Sequence, residues 1–186
     1  MSSKEFFRLV VRFFTTRFYT NETVVLLLHK ANIPQTSPVK IIPATSQNVT
    51  DILSFQSQRK LDIVRDCMKQ GDVGYLAYLN EKCVHRSFVS QGPRRILLHK
   101  FIPMEIGANE IFIHLCETDP GARGQNIFAH VLVKIAEDFK EKKIWISANA
   151  ENKSSLRSME KAGFVPFEKK RIVVILGIKW RQTRVL

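Results

Sequence analysis

The chain has 186 residues, 45% of them hydrophobic, with no internal repeat or low-complexity segment. This excludes a disordered or fibrous protein and fits one main domain with a buried core. A net charge of +12 and a pI of about 9.9 point to anionic partners: a polyphosphate cofactor, an acidic lipid surface or nucleic acid. Cys67, Cys83 and Cys116 are odd in number and lack CxxC or Cys/His ligand spacing, so the sequence points to a reducing cytoplasm and to no metal site. No charge-free apolar run reaches membrane-spanning length. The apolar start is interrupted by arginine and lacks the small-residue cleavage site of a signal peptide.

In residues 4–19, Lys4, Arg8 and Arg12 share one face, and Phe6, Phe7, Val10, Phe13, Phe14 and Phe18 fill much of the rest. The spacing predicts a basic amphipathic helix. Two readings of it stay open: peripheral contact with an anionic membrane at its inner face, or packing on the domain or on a second copy in a homodimer. Residues 23–28 read as a strand and 32–38, with two prolines, as a linker. Residues 1–38 are therefore expected to be an appendage to a domain over 39–186.

Residues 39–44 predict a strand. Ser46 or Asn48 could cap a helix carrying Val49, Ile52, Leu53 and Phe55, and a further helix runs through Leu61, Ile63, Val64, Cys67 and Met68 to Gly71. Residues 73–79 and 82–89 form a hairpin across Asn80-Glu81, and 96–102 a strand broken by His99 and Lys100. Residues 143–148 are a strand, and a polar turn from Asn149 enters a helix through Leu156, Met159 and Ala162 that Gly163 ends. Residues 164–167 and 171–180 are strand-like. The order implies an α/β fold with a mixed central sheet flanked by helices.

Residues 110–139 read as strand, turn and helix. Ile111, Ile113 and Leu115 alternate with Phe112, His114 and Cys116; Asp119-Pro-Gly121 breaks the strand; Phe128, Val131, Leu132, Ile135, Ala136 and Phe139 recur at helical spacing. Between them Gly121-Ala-Arg-Gly-Gln-Asn126 is small and basic. At a helix N-terminus, free backbone N–H groups and the positive dipole end suit phosphate, although any strand-to-helix unit also needs a glycine turn.

The stretch Asp119-Pro-Gly-Ala-Arg-Gly-Gln-Asn-Ile-Phe128 resembles the cofactor loop of the GNAT N-acetyltransferase superfamily. About thirty residues on, Asn149-Ala-Glu-Asn-Lys-Ser-Ser-Leu-Arg-Ser-Met-Glu-Lys-Ala-Gly-Phe164 resembles that family's second signature. The resemblance covers residues 110–167 and implies a mostly antiparallel sheet splayed at its middle, where acetyl-CoA inserts. Backbone at Cys116, Glu117 and Thr118 would then pair with pantetheine. The pyrophosphate would sit on N–H groups of Arg123, Gly124, Gln125, Asn126, Ile127 and Phe128, with Arg123 adding charge, and Asn152 would lie near the thiol end or the pantetheine. Asn126 and Phe128 stand where the family has small residues; asparagine tolerates the left-handed backbone such a loop needs, and Phe128 could shape the acyl pocket. Met159 stands where the family often has a tyrosine acid.

Acetyl transfer to an amine needs a base and an oxyanion donor. Glu117, at the strand end, is the first candidate base, His114 the second and His85 the third, the last beside Arg86, which disfavours its protonated form. Strand alternation puts Glu117 and His114 on opposite faces unless a bulge intervenes. The oxyanion donor would be a backbone N–H near Thr118. The His-Arg-Ser-Phe stretch, the loop and the Phe-rich start resemble members acting in bacterial surface-polysaccharide or aminosugar pathways, which implies an aminosugar or other anionic amine as acceptor. The first reading is an acetyl-CoA-dependent N-acyltransferase. The second is a catalytically silent module of the same fold that binds CoA, a partner or a membrane. A nucleic-acid binder is disfavoured, because the basic residues are dispersed and no recognition motif is present.

Overall fold

Asn80 and Glu81 have φ of 48° and 63°, the pair of positive values a two-residue hairpin turn of type I′ requires. They join β3 (Val73–Leu79) to β4 (Lys82–Gln91), as the sequence predicts. The structure, a computed structural model, describes residues 19–99, 102–176 and 178–186. The other described strands are β1 (Tyr19–His29), β2 (Lys40–Pro43), β5 (Arg94–His99), β6 (Ile102–Ile106), β7 (Glu110–Thr118), β8 (Lys143–Asn149), β9 (Phe164–Ile175) and β10 (Ile178–Val185). Among the described residues three α-helices accompany them: α1 (Gln58–Lys69), α2 (Ile127–Asp138) and α3 (Lys153–Lys161).

Eight strands form one sheet in the order β10-β9-β1-β8-β7-β4-β3-β2, and β5 and β6 pair separately. Every pair in the large sheet is antiparallel except β7–β8. On one face α2 and α3 pack on Val25, Leu27, Ala77, Ile111, Ile113 and Ile146. On the other, α1 and a 3-10 helix (Val49–Ser54) cover Leu76, Cys83 and Phe88, while the β5–β6 hairpin covers Leu26, Leu28, Phe112 and Trp145. The mixed, mostly antiparallel α/β sheet flanked by helices is thus present, with a hairpin taking part of one face.

Three expectations need correcting. The strand assigned to an appendage is integral: β1 lies between β8 and β9. Val24 to Leu28 are all buried and feed both faces, as a run apolar on both sides of a strand must. The segment after Asn48 is the 3-10 helix rather than an α-helix, and Asn48 does not cap it. Its side chain accepts from the Thr45 N–H and donates to the Pro43 carbonyl, closing the turn before it. Residues 164–175 are one unbroken strand. The amphipathic helix expected over 4–19 falls, apart from Tyr19, outside the described residues.

Residues 30–37, read as linker, form a strap. Lys30 N–H donates to the Gly163 carbonyl, Gln35 to the Lys161 carbonyl and Ser37 Oγ to the Gln125 carbonyl, so the strap ties the end of α3 to the start of α2.

Candidate active site

The site begins where the sheet opens. β7 and β8 pair from Glu110 with Lys143 to Ile113 with Ile146 and then part: β7 continues against β4, while Ser147, Ala148 and Asn149 pair with β1. At the fork β7 carries a bulge. Leu115 has φ of 50°, and the β4 register steps from Arg86–Glu117 to Phe88–His114, so two β7 residues oppose Ser87 alone. Arg86, 1% exposed, pins the bulge by donating to the Leu115 carbonyl.

The expected cofactor loop lies at this opening. Asp119 accepts from the Gly121 N–H and starts a short 3-10 turn, Pro120–Ala122. Gly124 follows with φ of 84°, and Asn126 holds φ of 59° at the start of α2. Asn126 makes no side-chain cap. It donates instead to Gln35 Oε1 at 3.0 Å and the Thr36 carbonyl at 3.2 Å, so the first-turn N–H groups of α2 have no side-chain acceptor there. Across the opening Asn152 does cap α3, accepting from the Ser155 N–H at 3.1 Å.

Two adjoining cavities result. One of about 600 Å³ is lined by Thr118, Arg123, Gly124, Asn126, Ile127, Arg157 and Lys161. Another of about 270 Å³ is lined by Lys60, Arg86, His114, Ser147 and Met159. Cys116, Glu117, Phe128, Asn152 and Ser155 border both. Gln125, expected in the same cradle, lines neither, and its carbonyl accepts from Ser37 Oγ of the strap.

The three candidate bases part company. Glu117, 38% exposed at its side chain, lies 3.2 Å from Arg86 Nη2 and 3.9 Å from Lys60 Nζ. His114 lines only the smaller cavity. Its Nε2 is 3.0 Å from both Ser90 Oγ and Asp72 Oδ2. The exception allowed for a bulge applies, with Leu115 as its extra residue: His114 and Glu117 both face α1, and Leu115 joins them. His85 is fully buried, with Nδ1 2.6 Å from Thr118 Oγ1 and Nε2 2.8 Å from Ser87 Oγ. Burial first, then the charge of Arg86, push its pKa down to about 3. His85 is therefore a neutral residue that fixes Thr118, too weak to hold an abstracted proton. Burial also pushes the Cys116 thiol up to about 11, so it is no nucleophile at neutral pH.

Cys67, Asp72 and His114 gather with ligand-type atoms within 4.8 Å of one another. The cation of that cluster is already a guanidinium: Arg94 Nη1 is 2.6 Å from Asp72 Oδ1. Burial acts to raise the Asp72 pKa, but hydrogen bonds from His114 and Ser90 and the Arg94 charge hold it below the usual carboxylate value. The cluster braces β7 against the turn after α1.

Lys60, Arg86, Ser155, Arg157 and Lys161 were not singled out as site residues from sequence. Arg86 carried the one available signal, since alternation on β4 turns it away from His85. Lys60 comes from α1, and Ser155, Arg157 and Lys161 all come from α3.

No family model matches this sequence, and no curated protein matches it. Solved structures do. An acetyltransferase of the GNAT family from Colwellia psychrerythraea superposes with a TM-score of 0.64 at 12% identity, over 88% of this chain and 56% of that one. A protein of unknown function from Staphylococcus epidermidis gives 0.63 at 12% identity, over 91% and 68%. The GCN5-related glucosamine N-acetyltransferase region of a fungal multi-domain GH3 β-N-acetylglucosaminidase gives 0.61 at 12%, over 89% and 22%. The chain thus spans little more than half of the Colwellia protein and under a quarter of the fungal one. The fold is that of the GNAT acetyltransferases.

Proposed function

We propose that this chain is an acetyl-CoA-dependent N-acyltransferase that acetylates a primary amine. The observation that carries this reading is the fork between β7 and β8, with an uncapped helix start and Arg123 on its wall. The residues present fit the cofactor. Free first-turn N–H groups of α2 and the Arg123 charge suit a pyrophosphate, Arg157 and Lys161 add positive charge, and β7 backbone from Cys116 to Thr118 borders the cavity. Acetyl-CoA, when bound, supplies the acyl group on a thioester.

The chain's own residues supply the proton handling. Glu117 borders both cavities and takes the proton of the attacking amine; Arg86 and Lys60 hold its carboxylate in place. A β7 backbone N–H near Thr118 would supply the hydrogen-bond donor that an acyl carbonyl needs. Met159 is buried and carries no proton to give, so this position would supply no acid to a departing thiolate. For the acceptor, an aminosugar or another small anionic amine suits the cationic walls, and one structural neighbour is a glucosamine N-acetyltransferase region. A cytoplasmic setting suits the three free cysteines.

Calorimetric titration with acetyl-CoA, followed by thiol release against a panel of aminosugars and other amines, tests this. Binding with amine-dependent thiol release supports the transferase. Binding with no release across the panel favours a silent CoA-binding module. No binding by folded protein removes the cofactor assignment.

A further inference from the structure

The far end of the large sheet carries an apolar face that the transferase reading does not use. β1 pairs with β8 from Val24 onward and the Thr23 carbonyl still accepts from the Ala150 N–H, so residues 19–22 run past the end of β8 with the ends of β9 and β10. The register sets this three-stranded tip in rows. Tyr19, Ile175 and Ile178 stand side by side, then Asn21, Val173 and Trp180, then Thr23, Arg171 and Gln182, then Val25, Lys169 and Arg184. Directly opposed residues share a face. The other face of the tip is covered: Ile172 and Val174 pack with Ile102 and Leu98. On the open face Tyr19 is 58% exposed, Ile178 60% and Trp180 50%, and Leu176 in the connecting turn is 70% exposed.

Apolar rows at the tip give way to basic rows about 13 Å behind it, at about 3.3 Å per residue. Arg171, Lys169 and Arg184 lie on the apolar face, and over residues 168–186 six cationic side chains stand against the single carboxylate of Glu168. We infer that this tip docks on an anionic lipid bilayer, with Leu176, Ile175 and Ile178 entering the interface, Trp180 and Tyr19 at headgroup depth and the arginines on phosphates. Amphipathic aromatics and basic side chains are the residues that such an interface selects. A second copy fits less well, because pairing along the β10 edge would set Lys179, Arg181 and Arg184 against their own kind.

The test is flotation of the full chain with vesicles of phosphatidylcholine alone and with about one third phosphatidylglycerol. The chain has two tryptophans, and Trp145 is 3% exposed, so quenching by brominated lipid reports on Trp180. Expected are binding that requires phosphatidylglycerol, quenching of Trp180, and at least about tenfold weaker partitioning for Ile178→Ser/Trp180→Ser with an unchanged melting curve. Lys169→Glu/Arg184→Glu should weaken it similarly. Absence of vesicle binding overturns the proposal. So does binding without quenching, or binding that the serine pair leaves unchanged, since another surface then carries it. Self-association that the serine pair abolishes, without lipid binding, overturns it in favour of a second copy.

Discussion

His114 and Glu117, three residues apart on one strand, face the same side of the sheet. The bulge at Leu115 makes this possible, and it brings the Glu117 carboxylate to Arg86 and Lys60 beside the smaller cavity. Without the bulge Glu117 would face α2.

Glu117→Gln should lower kcat about a hundredfold or more while acetyl-CoA affinity stays within about twofold, because the amide still accepts from Arg86 but takes no proton. Steady-state thiol release beside calorimetric binding checks it. An unchanged kcat removes Glu117 as the base.

His85 should give the fold a pH dependence. Its pKa lies at about 3 in the folded protein against an ordinary 6.5. Between these values the unfolded chain binds more protons, so stability is complete above about pH 6.5 and declines as the pH falls towards 3. The slope approaches about 1.4 kcal/mol per pH unit. His85→Gln should flatten that slope in urea unfolding series taken at several pH values.

The loop and the start of α2 were legible in sequence because their signals are local: Asp119-Pro-Gly for the turn and Asn126 where the backbone turns left-handed. The bulge was not. Leucine carries no mark of a positive φ, and the Arg86 side chain that pins it comes from another strand. The place of β1 was equally hidden, because pairing partners far along the chain leave no trace in local periodicity.

Asn126 predicts an order among its own variants. Asn126→Gly keeps the backbone at φ 59° and loses only the bonds to Gln35 and Thr36. Asn126→Val adds about 1–2 kcal/mol of left-handed strain to that loss. Urea midpoints should rank wild type, glycine, valine, and acetyl-CoA affinity should fall in the same order.

Gly163→Ala should destabilise by at least about 2 kcal/mol. The backbone there has φ of 86°, and an added Cβ would stand 1.6 Å from the Ala31 carbonyl oxygen. Thermal melting checks the loss, and reduced acetyl-CoA affinity in the surviving fold would show that the strap transmits it to the loop.

The position of β1 also governs the order of assembly. Leu26 pairs with Ser147 on one side and Glu168 on the other, so during synthesis this strand leaves the ribosome long before either neighbour exists. Its apolar residues, destined for both faces, wait for partners until β8 and β9 arrive, and meanwhile they are open to chaperones and to mispairing.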